Sequence, residues 1–221
     1  MIAGMALAMT LFAAAPASPP APAPPAGEAP AAEKQDRDLA RVEAYLNSIR
    51  SLEADFVQES SDGQVARGRV MLARPGRLRF EYSDGTPLLL VSNGKVLSFI
   101  DYSIGQVTRW PINDTPLGLL VRDHIDLAAA GAVLNAARTA GARRLLVTVR
   151  DPAHPERGLL TLSFLERAQG LRLEGWEVVD AQGTVTRVTL ENIRLNSVLA
   201  DALWSFDDPR KLPSQRRRRR R

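Results

Sequence analysis

The chain has no cysteine, and that absence removes several functions at once. Disulfides, thiolate metal sites and a cysteine nucleophile are excluded, as is a lipid attached to a cysteine behind a signal peptide. Histidine is nearly as scarce: His124 and His154 are the only two. Neither sits among acidic residues at a repeated ligand spacing, so no metal and no other cofactor is expected. No Gly-x-Ser-x-Gly surrounds Ser48, Ser51 or Ser92, and no Gly-rich phosphate loop occurs. Asp55 and Glu59 have helical spacing but lie in a stretch that alternates like a strand, so they do not make a carboxylate pair. No catalytic residue is assigned.

Aromatic residues are also few, at 5%, while apolar residues as a whole reach 45% of the 221. That is enough for one aliphatic core. The formal charge of +4 includes six from Arg216–Arg221, which leaves −2 for everything else. The basic balance therefore belongs to one short run and does not make the body a nucleic-acid binder. That run could touch anionic headgroups, bind nucleic acid nonspecifically, or serve only as a solvated tail.

Residues 1–17, MIAGMALAMTLFAAAPA, are apolar, too short for a comfortable membrane span, and end in the small-x-small signal Ala15-Pro16-Ala17. They read as a secretory signal peptide, although no Lys or Arg precedes the apolar run. Residues 18–35 are Pro/Ala-rich and read as a semi-extended linker, because proline at that density opposes helix and central strand. The folded domain is expected over 36–209, with 210–221 as a disordered basic tail.

The domain is organised around Arg67–Ile112. Pro75-Gly76, Asp84-Gly85, Asn93-Gly94 and Gly105 punctuate apolar runs of period two. Val70 and Leu72 alternate with Arg69 and Met71; Leu78, Phe80 and Tyr82 alternate with Arg77 and Arg79; Leu97 and Phe99 alternate with Ser98 and Ile100. The pattern predicts a meander of four or five antiparallel strands with tight hairpins. Before it, Asp36 or Asp38 caps a helix with Leu39, Val42, Tyr45, Leu46 and Ile49 on one face, and Leu52–Gln58 reads as a first strand. After it come two short helical runs, Pro116 to about Arg122 and Asp126–Leu134. Strands are then expected over Leu145–Arg150, Gly158–Glu166, Leu171–Val179 and Val185–Leu195. Trp204 and Phe206 form a last short segment. Helices at the start and middle, not between strands, exclude a doubly wound fold. The expected fold is mainly β with α: a large curved antiparallel sheet with short helices lying over its concave side.

Arg74-Pro75-Gly76-Arg77-Leu78-Arg79-Phe80, with Phe56-Val57-Gln58 before it and Val91-Ser92-Asn93-Gly94-Lys95-Val96-Leu97 after it, resembles the LolA family of periplasmic lipoprotein carriers. Gln106-Val107-Thr108 and Thr115-Pro116-Leu117-Gly118-Leu119-Leu120 fit the same pattern, and the likeness runs from about Leu39 to Phe206. Leu72 stands where the family has an aromatic residue, and Asp207-Asp208-Pro209-Arg210 replaces a Pro-Pro-Gly. The resemblance implies an unclosed barrel with lid helices and a monomeric periplasmic chaperone. Such a chaperone takes acylated lipoproteins from an inner-membrane ABC-type releasing complex and delivers them to an outer-membrane receptor or to the outer membrane itself. It also implies that Arg74 lies inside the barrel and bonds to a lid helix; on spacing alone, Arg74 reads as one surface arginine among several. The LolB receptor has a similar fold but is itself a lipoprotein, which a cysteine-free chain cannot be.

For an acyl-binding wall the candidate residues are Val70, Leu72, Leu78, Phe80, Leu89, Val91, Leu97 and Phe99. A one-residue slip in register exchanges the two faces, so their facing is an expectation. The rival readings are a lipid- or lipoprotein-sensing module of the envelope, a secreted hydrolase with an open cleft, and a nucleic-acid binder that uses the arginine run.

Overall fold

The computed structural model describes residues 28–210 except 84, 140 and 152. The expected signal peptide, the linker as far as Gly27 and the basic run from Lys211 lie outside the described residues, as do Asp84 and Pro152 in two expected turns.

Helix α1 spans Glu28–Ser48. It begins inside the stretch expected to be extended up to residue 35. Pro30 falls in the first turn, where its missing N–H has no intrahelical acceptor to lose, and the alanines around it are strong helix formers. Val42 and Leu46 are buried, followed by Ile49, while Leu39 and Tyr45 pack beside them. Asp38, expected as a cap, is instead an interior helical residue on the same stripe.

Eleven strands follow among the described residues. They are β1 (Ser51–Ser60), β2 (Val65–Ala73), β3 (Arg77–Tyr82), β4 (Leu88–Asn93), β5 (Val96–Asp101) and β6 (Gln106–Pro111), then β7 (Val133–Thr139), β8 (Ala142–Val149), β9 (Leu159–Arg167), β10 (Gly170–Val179) and β11 (Val185–Leu195). They form one sheet in the order β6-β5-β4-β3-β2-β1-β11-β10-β9-β8-β7, every pair antiparallel. The chain climbs one meander from β1 to β6, crosses, and descends a second from β7 to β11, which closes against β1. The two edges, β6 and β7, are thus consecutive in sequence, and the sheet does not close between them.

Strong curvature follows from distances across the sheet. Phe80 on β3 and Trp176 on β10 are four strand spacings apart, ~19 Å along a flat sheet, yet their ring centroids lie 6.2 Å apart. Phe56 on β1 fills the space between, edge-on to Phe80 at 5.1 Å and to Tyr82 at 5.4 Å. Gly68 makes room for it: a Cβ there would meet the Glu81 carbonyl oxygen at 1.9 Å and the Phe56 ring at 2.9 Å. One buried cluster therefore spans β1, β2, β3, β5, β7, β8, β9, β10 and β11 together with α1 and the crossing segment.

That crossing segment differs from expectation at one point. Ile112–Asp114 and Pro116–Val121 are short 3-10 helices, the second near the expected helix. Asp126–Leu134, expected as a helix, is a run of turns followed by the start of β7. The Asp126 carboxylate accepts the Ala129 N–H at 2.8 Å, and Gly131 takes φ +64. From there Leu134 pairs with Val147 on β8. Alanine content favours helix locally, but pairing with a buried strand decides the outcome.

Candidate functional site: a covered aliphatic interior

The inner face of the sheet is set by register. Val70 pairs with Phe80, Leu72 with Leu78, Phe80 with Leu90 and Leu90 with Phe99. Side chains directly opposite each other share a face, so Val70, Leu72, Leu78, Phe80, Leu97 and Phe99 point inward as expected. The first five are buried in the main cluster, and Phe99 is half-buried. Leu89 and Val91 do not belong to this wall. They join Ile100 in a separate cluster on the opposite face, against Val107 and Phe206. Leu88-Leu89-Leu90-Val91 is uniformly aliphatic and carries no alternation to reveal its parity, and Leu90 takes the inward place.

Two elements cover the interior. Helix α1 contributes Val42, Leu46 and Ile49, and the crossing segment contributes Ile112, Leu119, Leu120, Val121, Ile125 and Leu127. These side chains occupy the space between sheet and cover. A cavity of about 130 Å³ at the rim, lined by Leu119, Val149 and Leu160 but also by Arg122, Asp151 and Arg157, is smaller than the roughly 300–1,000 Å³ of preformed small-molecule sites.

The cover is held to the sheet at one corner by Arg74-Pro75-Gly76. The peptide between Arg74 and Pro75 is cis. The Arg74 backbone N–H donates to Arg50 O at 2.9 Å, its Nε donates to Leu120 O at 3.2 Å, and the Gly76 N–H donates to Val121 O at 2.7 Å. The last carbonyls of a helix lack intrahelical partners, and here the turn between β2 and β3 supplies them. Buried Ser92 braces that turn from β4, its hydroxyl donating to Gly76 O at 2.6 Å. The Arg74 guanidinium is poorly accommodated. Burial and the neighbouring Arg50 charge push its pKa down to about 10 against the pull of Asp123, and Nη1 is buried without a partner among the described residues.

A second anchorage lies along α1. Asp38, 5% exposed, pairs with Arg143 on β8 and with Arg41 at 3.0 Å. Glu166 on β9 takes the same two guanidiniums, at 2.7 Å from Arg143 and 2.8 Å from Arg41. Hydrogen bonds from Arg143 are the chief reason both carboxyl groups are held below their ordinary pKa. Tyr45 adds a polar contact: a register shift between Leu173 and Gly175 interrupts the β9–β10 ladder, and the Leu173 N–H donates to Tyr45 Oη at 3.1 Å.

The two covering elements are also bonded to each other. Asn47 Nδ2 donates to Ile125 O at 2.8 Å and Asn47 Oδ1 accepts the Ile125 N–H at 2.9 Å; Glu43 accepts the Leu127 N–H at 2.7 Å. Replacing Asn47 by alanine leaves both Ile125 backbone groups without these partners. Urea unfolding should show a loss of about 2 kcal/mol, with the far-UV signal of the sheet unchanged.

Of the predicted residues, six wall positions share the inner face, Arg74 lies at a corner of the cover bonded to Leu120 O, and Leu89 and Val91 lie on the opposite face. Sequence reasoning missed Asp38, Arg143 and Glu166, which are far apart in the chain, and Asn47, whose helical setting hides its reach to Ile125. No group of three or more potential metal ligands occurs among the described residues, and no described helix is long and apolar enough to cross a membrane.

The family described as outer membrane lipoprotein carrier protein LolA matches residues 47–207. An outer-membrane lipoprotein carrier protein of Chromobacterium violaceum is 29% identical over 189 residues, covering 81% of this chain and 88% of that protein. An uncharacterised protein of Rickettsia prowazekii is 30% identical over 88 residues, covering 40% of this chain and 41% of its own length. Among solved structures, a LolA superfamily protein from Nitrosomonas europaea is similar at a TM-score of 0.42 and 10% identity, over 75% of this chain and 96% of that one. The match across the sheet, the Arg-Pro-Gly corner and the crossing segment places this chain in the LolA family of outer membrane lipoprotein carrier proteins.

Proposed function

We propose that the protein is a periplasmic chaperone that holds the acyl chains of lipoproteins in the space now filled by its cover. The carrying observation is the interior itself: an aliphatic inner face that runs along the sheet from β5 through β1 and β11 to β7, closed by α1 and the crossing segment rather than by more sheet. Each methylene removed from water contributes about 0.8 kcal/mol, so acyl chains in water are strongly driven into such a space. The cover limits the net gain, because each chain that enters expels side chains such as Leu119 and Leu120 from the same apolar surroundings. Affinity is thereby moderated, and a carrier has to release its load. Inner-membrane loading by an ABC-type releasing complex and delivery to an outer-membrane receptor fit a protein that both accepts and surrenders lipid.

Arg74 is the proposed lid switch. In the closed state its guanidinium is partly desolvated and makes one side-chain bond to Leu120 O. That partial burial disfavours the cation, and the charged hydrogen bond to Leu120 O opposes it. The balance leaves the corner able to open. Arg74→Leu removes both terms and makes the corner wholly apolar, so bound acyl chains should leave about tenfold more slowly. The test co-expresses a lipoprotein with either protein and identifies by mass spectrometry what co-purifies, with cargo lacking its acylated cysteine as the control. Equal capture of unacylated cargo would sink the carrier reading. Unchanged release from Arg74→Leu would remove Arg74 from the switch.

A further inference from the structure

Residues 196–210 leave β11 and lie as a strap across the outer face of the sheet, away from the interior. Arg79 pairs with Val91, Val91 with Ser98 and Ser98 with Arg109, so β3, β4, β5 and β6 each present one of these residues to that face. The strap is tied firmly at its start. Asn196 Oδ1 accepts the Arg50 N–H at 2.7 Å, and Ser51 Oγ donates to Ser197 O at 2.6 Å.

Farther on, the hold repeats one unit. Arg77 pairs with Asp201 at 2.8 Å and lies 5.9 Å from the Trp204 ring; Arg109 pairs with Asp208 at 3.5 Å and lies 5.8 Å from the Phe206 ring. Each arginine thus takes one acid and one aromatic ring. Between them Arg79 donates to Leu203 O at 2.8 Å and Ser205 O at 3.0 Å, main-chain contacts that do not depend on the side chains of the strap. Phe206 packs on Leu89, Val91 and Ile100, a cluster separate from the interior. The outer face therefore grips a short segment by its acids, its aromatics and its backbone, which is how a peptide is recognised.

The strap fits this seat imperfectly. Trp204 is 7% exposed, and its Nε1 is buried without a hydrogen-bond partner among the described residues. Asp208 lies closer to Arg210, at 2.6 Å, than to Arg109. Asp201 and Arg77 are both exposed, so their pair contributes little. A cavity of about 270 Å³ remains beside the strap, lined by Val91, Ser98, Arg109, Trp204 and Phe206. Departure of the strap would not strand the half-buried Arg79, which keeps Glu81 at 2.6 Å.

We propose that this seat on β3–β6 is a docking site for an acidic, aromatic segment of a partner protein, and that the strap is its internal occupant, displaced when the partner binds. Charge decides the partner's chemistry: three arginines face the segment, and the strap shows the pattern that satisfies them, Asp201 and Trp204 followed by Phe206 and Asp208. A partner whose side chains also fill the cavity and reach the Trp204 pocket competes with the strap, which stays tethered at Asn196. The seat lies outside the interior, so this reading stands or falls apart from lipid carriage.

The test is fluorescence anisotropy of a labelled peptide of the strap's own sequence, Ala200–Arg210, added to the full chain. The parent should bind it weakly, because the tethered strap competes. Trp204→Ala with Phe206→Ala removes the strap's two anchors and should tighten binding about tenfold. Asp201→Lys with Asp208→Lys, which leaves the apolar packing in place, should do the same and guards against misfolding of the first variant. Arg77→Glu and Arg109→Glu added to the first variant should abolish binding. If neither pair of strap substitutions tightens binding, the strap is a fixed part of the fold and the proposal fails. Equal binding of a peptide whose three aspartates are replaced by lysine would reduce the seat to an apolar patch and overturn the proposal as well.

Discussion

Asp38→Ala should lower the free energy of unfolding by about 3 kcal/mol, among the largest losses available outside the aliphatic core. The reason is what the substitution leaves behind. Asp38 is almost fully buried on the packed stripe of α1, and the Arg143 side chain beside it is only 18% exposed. Without the carboxylate, Arg143 and Arg41 keep only Glu166 between them, and the largely buried Arg143 loses one of its two anions, whereas the exposed Arg41 is solvated. Replacing Asp38 by Leu together with Arg143 by Met should recover most of the loss, because apolar groups of similar size carry no desolvation penalty. If the double replacement is as unstable as Asp38→Ala, the contribution lies in the ion pair itself rather than in avoidance of a stranded charge.

The same cluster sets a pH dependence. Asp38 and Glu166 both have folded-state pKa values below their ordinary ones, chiefly through hydrogen bonds from Arg143. A depressed carboxyl pKa stabilises the fold fully above the unfolded value, about 4 for these groups, and the contribution fades as pH falls through the folded value. The gap between wild type and Asp38→Ala in urea midpoints should therefore be constant from pH 5 to neutrality and narrow below about pH 4. A gap that persists undiminished at the acid end would show that Asp38 acts through packing, not charge.

Gly76→Ala should cost about 3–4 kcal/mol and loosen the cover at the same time. Gly76 has φ +74, a left-handed conformation that a Cβ disfavours, and the added carbon would sit 2.2 Å from the Gly94 carbonyl oxygen. Backbone cannot yield there as a flexible side chain would, so the β2–β3 and β4–β5 turns must part. Parting them strains the two bonds centred on Gly76, its N–H to Val121 O and its carbonyl from Ser92 Oγ. Hydrogen exchange should then rise at Leu119–Arg122 before it rises in the sheet. Uniform acceleration across the molecule would mean that Gly76 serves global stability and has no particular hold on the cover. By contrast Gly63 and Gly85, also at positive φ, have open space around their missing Cβ and should show only the conformational cost.

Much of this fold is legible in one dimension. The period-two runs of β1, β2, β3 and β5, the turn residues between them and the apolar stripe of α1 are local properties. They follow from the geometry of a strand or helix whose one face is buried. The resemblance at Arg74-Pro75-Gly76 singles out the arginine whose Nε donates to Leu120 O, a contact that spacing alone does not show. Other features are not legible. The facing of Leu89 and Val91 is one, because an all-aliphatic run has no polar mark of parity. The alanines of Asp126–Leu134 favour a helix, whereas Leu134 belongs to a strand through pairing with Val147. Helix α1 starts earlier than proline density suggests, because proline is tolerated in a first turn.

By itself, then, the sequence determined what each short stretch prefers: which residues alternate, where the chain must turn, and that no thiol chemistry is possible. Only the tertiary structure decided what lies opposite what. It curled eleven strands until Phe80 met Trp176, filled the interior with the cover's own leucines, and gathered Asp38, Arg143 and Glu166 into one cluster. These are contacts between residues distant in the chain. Their energies depend on register and curvature, which no local preference encodes and which the whole sheet settles at once.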